Sequence, residues 1–252
     1  MNSFLSRFFG SETRTVPSVP EGIRVYAIGD IHGRSDLLRR IHALIEADGD
    51  GFPGRKEVVY LGDYIDRGLE SSEVLDLLIA GPPDGCTPVY LRGNHEDALL
   101  QFLQNHEVGE PWLTFGGEAT LVSYGIAFNP STTAEEDWQN LQADLKAQIP
   151  PMHLTFLNGL KSSHSVGGYF FAHAGIRPGV PLERQSPKDL MWIRDDFLTS
   201  PVDHGKVIVH GHSITFDPQK RGNRIGIDTG AYATGTLSCL VLEDTSQRIF
   251  TT

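Results

Sequence analysis

Carboxylates, imidazoles, an amide and arginines gather at the ends of short apolar runs in this chain. Val58-Val59-Tyr60-Leu61 runs into Gly62-Asp63-Tyr64-Ile65-Asp66-Arg67-Gly68. From one turn, such a loop can present a metal ligand, a charge-orienting acid and a guanidinium fork for phosphate. By itself it reads equally well as a strand followed by a charged solvent turn. Two further loops tip the balance. The run from Ile23 to Ile28 leads into Gly29-Asp30-Ile31-His32-Gly33, and Val89-Tyr90-Leu91 leads into Arg92-Gly93-Asn94-His95-Glu96. That many specified positions are not a chance grouping. Two later apolar runs also end in histidine, Tyr169-Phe170-Phe171-Ala172 before His173 and Val207-Ile208-Val209 before His210-Gly211-His212.

The elements between these loops decide whether they meet. After the first loop, Ser35 is placed to cap a helix with Leu37, Leu38, Ile41, Leu44 and Ile45 on one stripe, ending near Gly49. A second helix fits Ser71 to Ala80, stopped by Gly81-Pro82-Pro83. Strand, helix, strand, helix, strand makes two βαβ units, so the three strands are expected to be parallel and adjacent, with all three loops at one sheet edge. From residue 97 to about 165 the pattern becomes helical segments broken by loops: a helix over 98–104, a loop with Pro111-Trp112 and Gly116-Gly117, and a helix over 135–147 closed by Pro150-Pro151. It carries no motif chemistry and reads as a helical cap insertion, with Trp112, Phe115 and Trp138 as packing residues. Beyond it, Arg224 to Asp228 and Leu237 to Leu242 read as further strands of a second sheet packed on the first. The expected class is α/β, two packed mixed β-sheets flanked by helices, in a single domain over residues 22–252.

Composition narrows the function. At 252 residues, 39% hydrophobic and 21% charged, the chain is that of an ordinary soluble protein, and it has no apolar run long enough to span a bilayer. Residues 1–21 read as a loosely attached tail; Phe4, Leu5, Phe8 and Phe9 are too few for a signal peptide, with an interfacial amphipathic segment as the weaker alternative. Cys86 and Cys239 fit no metal or redox spacing and read as free thiols of a cytoplasmic protein. A net charge of −11 argues against a nucleic-acid partner. It also slows anionic substrates, so a phosphate site here needs its own local positive potential, which metals would supply.

The order and spacing of GDIHG, GDYIDRG and GNHE resemble the metallophosphoesterases, in particular their phosphoprotein phosphatase branch, over roughly residues 23–242. The resemblance implies a β-sandwich with two divalent ions. Asp30 and His32 would bind the first ion, Asn94, His173 and His210 the second, and Asp63 both, with His212 a candidate for a supporting place. This donor set suits Mn²⁺ best, with Fe or Zn as alternatives. Two divalent ions outweigh the two aspartates and leave the site positive. The resemblance also makes His95 the general acid, oriented by Asp66, and Arg67 a phosphate-binding residue beside Asn94 and His95. Arg194 matches a second phosphate arginine of bacterial members, while Arg92 and Arg177 read as ion-paired. His42, His106, His153, His164 and His204 are left without a role. The Ser-Ala-Pro-Asn-Tyr-Cys loop of the eukaryotic branch is missing, and Ile227-Asp228-Thr229-Gly230-Ala231-Tyr232 stands near its place.

The implied activity is hydrolysis of phosphoserine and phosphothreonine in proteins. A dinucleoside tetraphosphatase is the alternative, and a scaffold without chemistry the reading from another class. Asp66 and Glu96 favour the protein phosphatase, and the complete ligand set argues against the scaffold.

Overall fold

A computed structural model of the chain describes residues 16–129 and 134–252. Most of the proposed amino-terminal tail, residues 1–15, lies outside the described residues. The rest of it is tied down: Tyr169 Oη donates to Pro17 O (3.3 Å), Gly168 N to Ser18 O (2.8 Å), and Val19 N to Asp244 O (2.9 Å).

The first sheet starts with β1 (Ile23–Ile28), β2 (Arg55–Tyr60) and β3 (Cys86–Tyr90), parallel and adjacent as the βαβ pattern requires. The second contains β4 (Ser163–Val166), β5 (Tyr169–Ala172), β6 (Val207–His210), β7 (Gln219–Lys220) and β8 (Arg224–Gly226), in the order β4-β5-β6-β8-β7. The chain then returns to the first sheet as the hairpin β9 (Ser238–Glu243) and β10 (Ser246–Thr251), giving the order β10-β9-β1-β2-β3. The strand expected over Leu237–Leu242 therefore joins the first sheet and not the second. Both its faces are buried, Leu240 and Leu242 between the sheets and Cys239 and Val241 against the helices, so its pattern carried no sign of which sheet it enters.

Period-two alternation builds two of the three cores. Val25 and Ala27 of β1 face the space between the sheets, with Val59, Phe171, Val209 and Ile225. Tyr26 and Ile28 face the opposite way, onto α1 (Ser35–Gly49) and α2 (Ser71–Ala80). A third cluster, Phe170, Ala172 and Ile208 with Leu190, Ile193 and Phe197, covers the outer face of the second sheet. The result is helices, sheet, sheet, helices.

Local details depart from expectation where tertiary contacts take over. Ser35 is the first residue of α1 and not its cap; its hydroxyl donates to Glu70 Oε2 at 2.6 Å. The stripe of α1 is buried at Leu37, Leu38, Ile41 and Ile45, but Leu44 is 38% exposed. After α3 (Asn94–Gln104), the stretch expected as a loop is helical: α4 (Gly109–Trp112), a π turn (Leu113–Gly117) and α5 (Glu118–Ser123). Proline is tolerated in a first turn, so Pro111 does not break α4. By the same logic Pro151 starts a helix after α6 (Glu135–Gln148), namely α7 (Pro151–Asn158). Trp112 is buried as a packing residue should be, while Phe115 is 46% exposed.

Candidate active site

β1, β2 and β3 release their loops at one sheet edge, and β5 and β6 bring theirs to the same place from the second sheet. Close approach of the loops demands glycine. At Gly62, with φ +104°, a Cβ would lie 2.5 Å from Gly93 N. Glu96 laces the second and third loops together, its carboxylate accepting the N–H groups of Asp63 (2.9 Å), Tyr64 (2.7 Å) and Gly93 (2.9 Å). Five non-glycine site residues take left-handed backbone: His32 (φ 47°), Asp63 (52°), Asp66 (71°), Arg67 (68°) and His212 (61°). Each costs on the order of 1 kcal/mol, so the fold spends packing energy to aim these side chains inward.

Asp63 is central. Its Oδ2 faces His32 Nε2 at 3.5 Å and its Oδ1 faces His173 Nε2 at 3.4 Å. Two buried groups result, His32–Asp63–His95 and Asp63–His173–His212. His32 Nδ1 donates to Ile65 O (2.9 Å), so in its neutral ring the Nε2 lone pair points at the carboxylate, while His173 Nδ1 donates to Leu61 O (2.9 Å) and burial, outweighed by Asp63, leaves the His173 pKa raised. His173 Nε2 also meets Asn94 Oδ1 (3.0 Å) and His212 Nδ1 (3.2 Å). Buried imidazole nitrogens and carboxylate oxygens converging in this way suit a cation between them. Asp30 Oδ1 and His212 Nε2 are buried without a hydrogen-bond partner. The donor set therefore fits metal ions on both sides of Asp63.

Electrostatics agree. Burial, outweighed by the surrounding histidines, leaves Asp63 well below the usual carboxylate range. Burial, with Asp228 and Asp63 nearby, holds Asp30 well above it. Burial lowers His32 to about 3 and His212 to about 2, which keeps both rings in the neutral, ligating form. Excess negative charge from Asp30, Asp63 and Asp228 in one buried space is what a bound cation relieves.

One proposed ligand lies elsewhere. His210 belongs to neither group: its Nδ1 lies 3.0 Å from Gly211 O and its ring packs edge-on against Phe197 at 5.1 Å. His212 stands beside Asp63 and His173, because the chain turns through left-handed φ just after β6 and His212 N donates to Asp30 Oδ2 (2.9 Å). The geometry thus brings to Asp63 the second histidine of His-Gly-His, two residues beyond the strand end.

Beside the metal groups, His95 Nδ1 lies 2.7 Å from Asp66 Oδ2. Burial pulls His95 down, but Asp63 and Asp66 more than offset it, and its pKa is raised. Arg67 Nη2 is 3.4 Å from His95 Nε2, and its guanidinium lies 4.8 Å from the Tyr232 ring centre. Arg194 is exposed, with Nη1 3.4 Å from His212 O, so both arginines border the site. Arg177 is ion-paired with Asp189 (2.6 Å) and Asp196 (2.8 Å), and Arg92 lies 3.9 Å from Asp97. Sequence reasoning gave no site role to Asp228, Trp112 or Thr120. Asp228 alone had a signal, since it too follows a strand, β8, by way of Ile227.

Two packed mixed sheets, with such a site where their edges meet, define a metal-dependent phosphoesterase. The calcineurin-like phosphoesterase profile matches residues 23–234, and the chain belongs to that family. It is 28% identical to the asymmetrical bis(5'-nucleosyl)-tetraphosphatase PrpE of Anoxybacillus flavithermus, over 84% of this chain and 88% of that one. It is 29% identical to serine/threonine-protein phosphatase 2 of Escherichia coli, over 85% and 90%. Its fold resembles the cold-active protein-tyrosine phosphatase of a Shewanella species, with a TM-score of 0.59 at 16% identity, covering 93% of this chain and 83% of that one. The protein is thus a phosphoesterase of a family that uses divalent metals.

Proposed function

We propose that the protein hydrolyses phosphoserine and phosphothreonine esters of proteins, as a single domain over residues 22–252 with a cap over about 97–165. Asp30, His32 and Asp63 would hold one divalent ion, and Asp63, Asn94, His173 and His212 a second, with Mn²⁺ as the preferred metal. When bound, the pair supplies a hydroxide near neutral pH and offsets charge on the phosphoryl group. Arg67 and Arg194 orient the phosphoryl oxygens from the rim. His95 donates a proton from Nε2 to the leaving oxygen while Asp66 holds Nδ1.

The buried Asp66–His95 pair carries this reading. A serine or threonine alkoxide is strongly basic and leaves poorly unless protonated, so an oriented acid is worth most against such an ester. A nucleoside polyphosphate leaving group is far less basic and gains little from it. The second reading, a dinucleoside tetraphosphatase, is supported by the similarity to the Anoxybacillus enzyme. The test is kcat/KM of the metal-loaded protein on a phosphoserine peptide and on diadenosine tetraphosphate. A clear preference for the peptide is expected, and the reverse preference would replace the first reading by the second. A cytoplasmic location goes with either reading; no helix among the described residues is long and apolar enough to cross a membrane.

A further inference from the structure

The cap reaches the acid. Asp66 Oδ2, which takes the His95 Nδ1–H, also accepts Trp112 Nε1–H at 3.0 Å, and Asp66 Oδ1 accepts the Thr120 hydroxyl at 2.6 Å. Thr120 Oγ1 lies 3.0 Å from Asp66 N as well, with Ser71 Oγ at 3.1 Å, so one hydroxyl engages both the carboxylate and the left-handed backbone of the same residue. Asp66 and Thr120 are fully buried and Trp112 is 1% exposed, so no water competes for these donors.

The intervening chain is shaped for this contact. Trp112 ends α4 and Thr120 lies in α5, and the π turn between them sets their spacing. The indole is stacked on Phe102 at 5.1 Å, and a Cβ on Gly117 would lie 2.5 Å from it. Gly116, at φ +103°, accepts Arg67 N at 3.0 Å.

We propose that Trp112 and Thr120 are positioning residues for proton donation, through the carboxylate of Asp66; the proposal rests on the reading of His95 as the acid. Three donors on two oxygens fix the plane of the carboxylate, which fixes the His95 ring and the direction of Nε2. In the step itself the phosphorus–oxygen bond of the ester breaks, its electron pair stays on the leaving oxygen, and that oxygen takes the Nε2 proton. The Nδ1–H stays directed at Asp66 throughout. The segment then orients the acid, since without it Asp66 is free to turn.

The test uses the metal-loaded full chain carrying Trp112→Phe, which keeps the ring and removes the N–H, or Thr120→Val, which keeps the shape and removes the hydroxyl. Each variant should lose about 10- to 100-fold in kcat on a phosphoserine peptide, the usual worth of a hydrogen bond to a charged group. KM and metal content should hold, and p-nitrophenyl phosphate, whose leaving group needs no proton, should be turned over within about 3-fold of the parent rate. Thr120→Ser should restore most of the loss. Equal losses on both substrates, or no loss on the peptide, would overturn the proposal. If Trp112→Phe does not fold, the Thr120→Val and Thr120→Ser pair decides alone. His95→Asn measured alongside separates the two claims. Leaving-group dependence in His95→Asn but not in the cap variants sinks only this inference, whereas its absence in His95→Asn sinks the acid itself.

Discussion

His95 donates from Nδ1 to Asp66 Oδ2 at 2.7 Å, and neither residue is more than 1% exposed. The two come from different loops, one opening α3 and the other following β2, so their contact exists only because two parallel strands end side by side. With Nδ1–H committed to Asp66, the other nitrogen is the one available to a substrate. Its neighbours are Arg67 Nη2 at 3.4 Å and Asp63 Oδ2 at 3.8 Å, so a proton there sits between the guanidinium and the shared carboxylate.

Metal removal should abolish turnover, because the buried nitrogens of His32 and His173 converge on Asp63 where a cation would bind. Added Mn²⁺ should restore activity better than Mg²⁺, which favours all-oxygen donors and keeps its waters. Undiminished turnover by protein shown to be metal-free would end the metal-based account.

Asp63→Asn should lower occupancy at both metal positions together, since its two oxygens face opposite groups. Metal analysis of the purified variant checks this. Two fully occupied positions would mean that another side chain joins them.

His212→Ala should lose one metal equivalent and most activity, whereas His210→Ala should keep both metals and show lower thermal stability from the space left against Phe197. Metal loss from His210→Ala with full retention in His212→Ala would reverse the assignment.

Away from the site, His42 accepts the Tyr60 hydroxyl at 2.9 Å, and burial, with Arg39 nearby, lowers its pKa to about 4. A histidine depressed from about 6.5 favours the unfolded chain as pH falls, because the unfolded state takes up the proton first. Its contribution is therefore complete above about pH 6.5 and is lost progressively toward pH 4. Denaturant titrations at pH 7 and pH 5 should show His42→Gln losing roughly 1 kcal/mol less than the parent across that interval, a figure reduced for the partial exposure of His42. Identical pH dependence in the two proteins would show that His42 is not depressed.

The three βαβ loops were legible because each places glycine and a polar ligand type directly after an apolar run, and because two unbroken crossovers force the strands to be parallel neighbours. The approach of His212 to Asp63 was not, since a histidine ending a strand looks better placed than one beyond it until the left-handed turn is seen. Trp112 and Thr120 stand 46 and 54 residues from Asp66, inside a segment whose prolines and glycines imitate a loop. Only the packed turn shows that these residues return to the acid. Strand β9 hid its sheet for a different reason: a strand buried on both faces shows no alternation to orient it.

The central claim is that His95 protonates a basic leaving group. His95→Asn should keep both metals and an unchanged KM while kcat on a phosphoserine peptide falls by roughly 10²- to 10⁴-fold, and p-nitrophenyl phosphate should be far less affected. Asp66→Asn should show part of the same selective loss, and the double variant should be little worse than His95→Asn alone, because residues acting as a unit are not additive. Equal losses on the two substrates, accompanied by loss of a metal, would contradict the account and make His95 a ligand or a support.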